Sequence, residues 1–228
     1  MRGGPLSALI MATCAALFAS GACAAEYELP LTSTGLAGLT LLASTFQDAA
    51  MVFGPAKVNV SKRGLEAASS ACYVSTRKGD ETKLILKSES TGQGRFLTHY
   101  TLVTARRVRA GSCGASAAVH AGLLAVDDRL RLGMTKDQVR SAIGPPSLRN
   151  LDAWSKDDLP GGSHPNTWVY MATWHAPFSE VDQKAMTTLL AAHDGAAGPE
   201  HDYAWTRVVL NFRDSRLTRI DVSHGVGY

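Results

Sequence analysis

The chain has 228 residues, of which 45% are hydrophobic and 19% charged, and its formal net charge is +3. A mean hydropathy of −0.03 with this apolar content is typical of a folded globular protein and excludes a disordered or fibrous chain. The near balance of acidic and basic residues excludes the strongly basic footprint of a nucleic-acid-binding protein, although the isoelectric point is 8.7. The length allows one large domain or two small ones.

Residues 1–24 are predicted to be a secretory signal peptide. Arg2 is the only charged residue in this stretch, and it precedes an apolar run from Leu6 to Ala19. Small residues then lead to Ala24 and supply an A-x-A cleavage site. No later apolar run reaches the length of about 18 residues that a membrane-spanning helix needs. We therefore expect an exported protein of the periplasm.

Cys23 raises the question of a lipid anchor. A bacterial lipoprotein signal normally places Leu three residues before the modified cysteine, whereas this chain has Ser20 at that position. The pattern favours an unmodified chain but leaves both outcomes open, and with them an association with the outer membrane.

Two cysteines, Cys72 and Cys113, remain after cleavage of the signal. An oxidising compartment favours a disulfide between them. Such a bridge would close a loop of about 40 residues, which the chain-entropy model values at roughly 4 kcal/mol. The alternative is two reduced, buried thiols, but the even count after export favours the bridge.

Two segments 90 residues apart share a helix-capping pattern. Each begins with a threonine that can cap a helix and ends in a Gly-Pro pair that stops it. The shared positions are Thr45, Gly54 and Pro55 in the first segment and Thr135, Gly144 and Pro145 in the second. Three residues after the cap stand Asp48 and Gln138, of which only Gln138 completes the usual capping box. The pattern predicts helices over 46–53 and 136–143.

Strand-like runs follow each helix in the same order. They cover 71–76, 83–87 and 96–104 after the first helix, and 167–174, 206–212 and 216–223 after the second. Val208, Leu210 and Phe212 alternate with more polar positions such as Asn211, which is typical of antiparallel strands with one buried face.

The element order predicts an α+β fold of two tandem α-β-β-β repeats, with helices packed on one face of antiparallel sheets. The repeats are expected at 25–105 and 126–228, with a linker rich in Gly, Ala and Ser at 106–125. A helical insertion near 179–194 enlarges the second repeat, because an apolar stripe recurs there at helical spacing. Whether the repeats share one sheet stays open at this level.

The second repeat resembles the SmpA/OmlA (BamE-like) family of envelope proteins over roughly 125–228. The residues that carry the resemblance are Leu132-Gly-Met-Thr-Lys-Asp-Gln-Val-Arg-Ser-Ala-Ile-Gly-Pro-Pro146, Trp168-Val-Tyr170, Val208-Val-Leu-Asn-Phe212 and Leu217-Thr-Arg-Ile220. The tandem arrangement is similar to that of β-lactamase inhibitor proteins. The resemblance implies helices on one face of an antiparallel sheet and a role in binding proteins, without catalysis.

The same resemblance implies a function. BamE-like proteins are outer-membrane lipoproteins that assist the assembly of β-barrel proteins. We expect a non-enzymatic, exported cell-envelope binding or assembly protein that acts in outer-membrane protein assembly or envelope integrity. Its partners would be envelope proteins, with peripheral contact to the outer membrane. The poor lipid-attachment motif and the duplicated domain depart from the family pattern. They favour the alternative, a secreted or periplasmic proteinaceous enzyme inhibitor.

Motifs for catalysis, metal binding or cofactors are not found in the sequence. It contains no G-x-S-x-G, no phosphate-binding loop and no HExxH. His193-Asp194 and His201-Asp202 could share an ion, but a polar surface loop is the more common outcome for such spacing. The basic cluster at 106–109 could contact anionic lipid or an acidic partner, although a solvated strand end is favoured. We expect no cofactor, no metal and no enzyme activity.

Aromatic residues are the best sequence-level candidates for partner binding. Trp154, Trp168, Tyr170 and Trp174 all lie in the second repeat. Trp168, Tyr170 and Trp174 share one parity on a predicted strand, so their rings either fill the core beneath the helix or line the opposite sheet face. The long polar loop at 146–167, which contains Trp154, is a further candidate because loops on rigid scaffolds often carry binding.

Overall fold

The computed structural model describes residues 35–63, 66–90, 96–104, 113–146, 166–174, 180, 183–184, 187 and 203–227. The predicted signal peptide, Cys23, the basic cluster at 106–109 and Trp154 lie outside the described residues, as do His193 and His201. Among the described residues, no helix is long and apolar enough to cross a membrane. Residues 180, 183, 184 and 187, within the predicted insertion, are helical.

Each half of the chain has a helix, and strands follow that helix. The elements are α1 (Phe46–Phe53), β1 (Asn59–Arg63), β2 (Glu66–Ser75), β3 (Thr82–Ser90), β4 (His99–Thr104), β5 (Gly114–Ser116), α2 (Lys136–Ile143), β6 (Thr167–Trp174), β7 (Tyr203–Arg213) and β8 (Arg216–Gly227). The six predicted strands are all present. β1 and β5 were not predicted, because both are short and carry mostly polar or small residues.

Both helices start in the same way. In α2 the Thr135 hydroxyl accepts from the Gln138 amide at 3.2 Å, and Gln138 accepts from the Thr135 amide at 2.8 Å. In α1 Asp48 plays the same part, since its carboxylate accepts from the Thr45 amide at 2.7 Å. This backbone hydrogen bond is the main cause that lowers the pKa of Asp48. Both predicted helix ranges are confirmed, and α1 has a full capping box although only that of α2 was predicted.

Both helices also end in the same way. Gly54 has φ 89° and ψ 177°, and Gly144 has φ 79° and ψ −176°. A positive φ with an extended ψ is a conformation that essentially only glycine adopts. The extended ψ arises because Pro55 and Pro145 disfavour helical values in the residue before them. The Gly-Pro pair therefore ends each helix through a glycine that combines a positive φ with an extended ψ.

The strands form one sheet in the order β1-β2-β3-β4-β8-β7-β6. All neighbours in this order are antiparallel, whereas β5 pairs parallel with the end of β2, at Tyr73 to Ser75. The centre of the sheet is the pairing of β4 with β8, in which Thr101 lies opposite Asp221. The expectation of a mixed fold with helices on an antiparallel sheet is confirmed.

The main hydrophobic core lies between the helices and one face of the sheet. α1 packs there through Phe53, whose ring centroid is 5.3 Å from that of Tyr73, and α2 through Val139 and Ile143. Every second residue of the central strands points into this core, which explains the alternation in the sequence. The fully buried strand residues on this face include Leu84, Leu86, Tyr100, Leu102, Tyr170, Val208, Leu210, Ile220 and Val222.

Residues 113–125 contribute to the fold although composition placed them in a linker. They include β5 and buried side chains at Val119 and Leu124. The predicted disulfide between Cys72 and Cys113 is confirmed, and it ties β2 to the residue that precedes β5. The residue after Cys113 is Gly114, and the chain passes so close to the end of α1 here that a side chain would not fit. A β-carbon added to Gly114 would lie 2.6 Å from the Pro55 carbonyl oxygen.

Candidate functional site

Two of the predicted binding aromatics of β6, Trp168 and Tyr170, face the helices. Tyr170 is fully buried, and its hydroxyl donates to the Gly144 carbonyl at 3.0 Å. Trp168 is partly buried beside the core, with its ring centroid 5.0 Å from that of Phe212. The guanidinium of Arg140, on α2, covers the Trp168 ring at 5.6 Å. Of the two parities left open by the sequence, the structure therefore shows the core parity for Trp168 and Tyr170, whereas the side chain of Trp174 lies outside the described part of the chain.

The opposite face of the sheet carries charged and polar side chains, and we call it the polar face. Its residues alternate with the core residues along β3, β4, β8 and β7. The polar face includes Lys83, Lys87, His99, Thr101, Trp205, Arg207, Arg219, Asp221 and Ser223, and the apolar Ile85, Val103 and Val209 stand among them on the same face. These residues are distant in sequence and meet only because β4 pairs with β8.

Asp221 lies at the centre of the polar face in a dense set of hydrogen bonds. Arg219 binds it side-on, with Nε 2.6 Å from Oδ2 and an Nη 2.8 Å from Oδ1. The Thr101 hydroxyl is 2.7 Å from Oδ1. The His99 Nε2 is 3.7 Å from Asp221 Oδ1, beyond hydrogen-bond distance, and 3.2 Å from the Thr101 oxygen. We call these four residues the Asp221 cluster.

Burial and hydrogen bonding oppose each other at Asp221. Burial would raise the pKa of this carboxyl, but the neighbouring His99, Arg219 and Thr101 lower it to about 2. The ionised carboxylate can only accept, so the Thr101 hydroxyl donates to it and has lone pairs left to accept from His99 Nε2. His99, Thr101 and Asp221 thus form a chain of hydrogen bonds in which the Asp221 carboxylate is the final acceptor.

The chemistry of the Asp221 cluster suits recognition better than proton transfer. A general base works best when its pKa is near the ambient pH, whereas His99, Arg219 and Thr101 hold the pKa of Asp221 at about 2. Its two oxygens already accept three hydrogen bonds from Arg219 and Thr101. The negative charge of the carboxylate is therefore balanced by Arg219. The carboxylate in turn holds the side chains of Arg219 and Thr101 in place.

Next to the Asp221 cluster, a lateral row of donors crosses three strands. Ser223 lies between His99 on β4 and Arg207 on β7. The Ser223 side chain is 7% exposed, and the buried Nε of Arg207 has no hydrogen-bond partner among the described residues. A buried guanidinium nitrogen without a partner is uncommon, because its desolvation is not offset.

Trp205 places an aromatic ring beside this row, two residues from Arg207 along β7. It lies opposite Gly225, and a β-carbon added to that glycine would come within 2.7 Å of the indole ring. The glycine in β8 therefore lets the ring lie against the backbone of the sheet. Trp205 is partly exposed, so its ring is available beside Arg207.

Among the described residues, no group of three or more His, Cys, Asp or Glu side chains could hold a metal ion. The histidines that the structure describes have other surroundings. His99 belongs to the Asp221 cluster, and His224 is buried with its Nδ1 2.6 Å from the Thr206 hydroxyl. His120 is buried in the segment before α2.

Comparisons with models of known protein families, with curated proteins and with solved structures find no match to this chain. The site is therefore interpreted from its own geometry.

The polar face was not predicted as a site from the sequence. Arg219 and Asp221 alternate along β8 with the apolar Ile220 and Val222, a local pattern that is visible in the sequence. However, Thr101 and Asp221 are 120 residues apart, and local patterns do not specify which distant strands pair. The sequence signal available for this site was the recurrence of polar residues at alternate positions of β4 and β8, which are neighbouring central strands.

Proposed function

We propose that this chain is a non-enzymatic, exported protein of the cell envelope that binds a protein partner through its polar face. The observation that supports this most is the composition of that face. Trp205 and Arg207 lie two residues apart on β7 and Arg219 lies on the neighbouring β8, and tryptophan and arginine are the residue types most enriched at the energetic centres of protein interfaces.

A role without catalysis is consistent with the state of the acidic group. Asp221 has a pKa near 2 and is engaged by Arg219, so it would be a poor acid or base at neutral pH. A fixed carboxylate instead holds Arg219 and Thr101 in place, which reduces the side-chain entropy lost on binding.

The topology supports the proposal that the chain is a tandem repeat. In the sheet order, β2-β3-β4 is followed by β8-β7-β6, so each half runs from its outer edge to the centre. Two paired positions lie at matching places in the two halves. Leu36 bridges Val126, which is 90 residues later as for the helices, and Thr101 opposes Asp221. We infer an approximate two-fold axis through the β4–β8 pair, with the Asp221 cluster on it.

The proposed export fits the BamE-like assembly role, whereas the proposed duplication does not. The disulfide fits an oxidising compartment such as the periplasm. Two repeats joined in one sheet fit the alternative better, because that arrangement is the one expected of an inhibitor similar to β-lactamase inhibitor proteins. The polar face would then cover the active-site region of a target enzyme.

Site-specific photocrosslinking in cells that export the chain tests the proposal. A photoreactive residue at Lys83 reports on the polar face, and one at Met51, which is 75% exposed on α1, is the matched control. We expect protein adducts from position 83 and far fewer from position 51. No adducts, or equal adducts at both positions, would contradict a partner on the polar face.

The identity of the adduct and the fate of Cys23 separate the two candidates. An outer-membrane assembly component, with a chain labelled by radioactive palmitate in the outer-membrane fraction, supports the assembly role. A captured hydrolase and a soluble, unlabelled chain support the inhibitor. Purified chain should then slow that hydrolase in a direct activity assay.

A further inference from the structure

We propose that the outer edge of β1 is a docking site where an extended, acidic segment of a partner protein adds to the sheet as a further strand. β1 lies at one end of the strand order, and β2, β3 and β4 separate it from β8 and the Asp221 cluster. The docking site goes beyond the proposed function, because it uses the edge of the sheet and no residue of the polar face.

β1 is open to solvent on both of its faces. Asn59, Val60 and Ser61 are all exposed, although successive residues of a strand point to opposite sides of a sheet. Among the described residues, no strand pairs with the side of β1 that faces away from β2. Alternate backbone N–H and C=O groups of β1 therefore point outward and can pair with another strand.

Two exposed valines mark this edge. Val58 directly precedes β1 and Val60 lies within it, and they are 41% and 63% exposed. Valine is well suited to strands, and a β-branched side chain gains most from packing against a cross-strand neighbour. Edge strands that only avoid association carry charges or proline in place of open apolar side chains. The valines therefore indicate an edge that a partner strand covers.

The charge of the segment selects the partner. Between residues 54 and 65 the sequence has three basic residues, Lys57, Lys62 and Arg63, and no acidic one. Glu66 pairs with Arg63 from β2, so the segment stays net positive. Opposite charges across two strands stabilise their pairing, whereas like charges oppose it. An acidic strand is therefore favoured, and a second copy of this chain, which brings the same positive charge, is disfavoured.

A capped peptide, Glu-Glu-Thr-Val-Thr-Val-Glu, tests the docking site. Aligned antiparallel to residues 57–63, it places glutamate opposite each basic residue and valine opposite Val58 and Val60. In a titration of the purified, exported chain followed by NMR, we expect the β1 amide signals to shift and alternate β1 amides to exchange more slowly with solvent. The same peptide with lysine in place of glutamate should bind about tenfold more weakly.

Two variants separate the edge from the rest of the surface. Val60→Glu should bind the acidic peptide about tenfold more weakly, because an apolar cross-strand pair is replaced by a charge of the same sign as the peptide. Leu123→Glu is the matched control, since Leu123 is 61% exposed and lies outside β1. It changes the net charge equally and should bind the peptide as the wild type does. Circular dichroism before titration checks that both variants are folded.

Several outcomes would overturn the docking site. A peptide with N-methylated backbone amides keeps its side chains but cannot donate the hydrogen bonds of a strand, so equal binding of that peptide would exclude strand addition. Equal binding of the lysine peptide, or an unchanged affinity of Val60→Glu, would also contradict the proposal. Protection of the β1 amides that rises with protein concentration, without peptide, would identify a second copy as the occupant and overturn the acidic partner.

Discussion

Asp221 links the polar face to the stability of the fold. Its pKa in the folded chain is about 2, against about 3.9 for an unperturbed aspartate. A lowered pKa means that the folded state favours the ionised form. The resulting stabilisation is fully present above about pH 4 and is lost as the pH falls towards 2.

We expect Asp221→Asn to lower the free energy of unfolding by about 2 kcal/mol at pH 7. Urea unfolding of both chains between pH 2 and 7 measures this. The difference should shrink as the pH falls from about 4 towards 2, because the carboxyl is protonated first in the unfolded chain and only near pH 2 in the folded one. Asp214→Asn is the control, because Asp214 is exposed in the β7–β8 hairpin and pairs with Arg213 only at 3.9 Å. A difference between wild type and Asp221→Asn that does not depend on pH would contradict the assignment.

At the scale of elements, the two helix ends depend on glycine for a specific backbone conformation. Gly144 has φ 79° and ψ −176°, which differs from the left-handed helical conformation that asparagine tolerates. We expect Gly144→Ala to cost about 1–3 kcal/mol, and Gly144→Asn to cost as much.

Chemical denaturation of the two variants checks this expectation. Ser141→Ala, at an exposed position of α2, is the control and should be close to neutral. Recovery of stability in Gly144→Asn would show that the helix ends in an ordinary left-handed cap.

Local elements were predictable because their signals are local. The Thr135 cap and the Gly-Pro pair at 144–145 lie within one helix length, so the ends of α2 follow from short-range hydrogen bonds and sterics. The parity of β6 was not predictable, because Trp168 and Tyr170 are as compatible with a core as with an interface. The contact of Tyr170 with Gly144 and the packing of Trp168 on Phe212 show the choice in the structure. β5 was missed because it is short and pairs with β2, which is distant in the sequence.

The disulfide acts at the scale of the whole molecule, since it joins β2 to the segment that leads into the second half. The double variant Cys72→Ala, Cys113→Ala removes the link between two positions that are 41 residues apart, so the unfolded chain gains conformational entropy. We expect a loss of about 2–4 kcal/mol, measured by urea unfolding under oxidising conditions. A reducing agent should destabilise the wild type to a similar extent and leave the double variant unchanged. A wild type that keeps its stability when reduced would show that the bridge contributes little.

One continuous sheet and one main core predict that both halves unfold together. All four tryptophans lie between residues 154 and 205, so fluorescence reports only the second half, whereas circular dichroism reports both. Leu102 is fully buried on β4, in the first half, and faces Ile220 on β8. We expect Leu102→Ala to cost about 2–5 kcal/mol and to lower the fluorescence and dichroism midpoints equally. Val60→Ala, at an exposed site on β1, should move neither midpoint. If only the dichroism midpoint fell in Leu102→Ala, the halves would be separate folding units, and the Asp221 cluster between them could not be a rigid centre of the polar face.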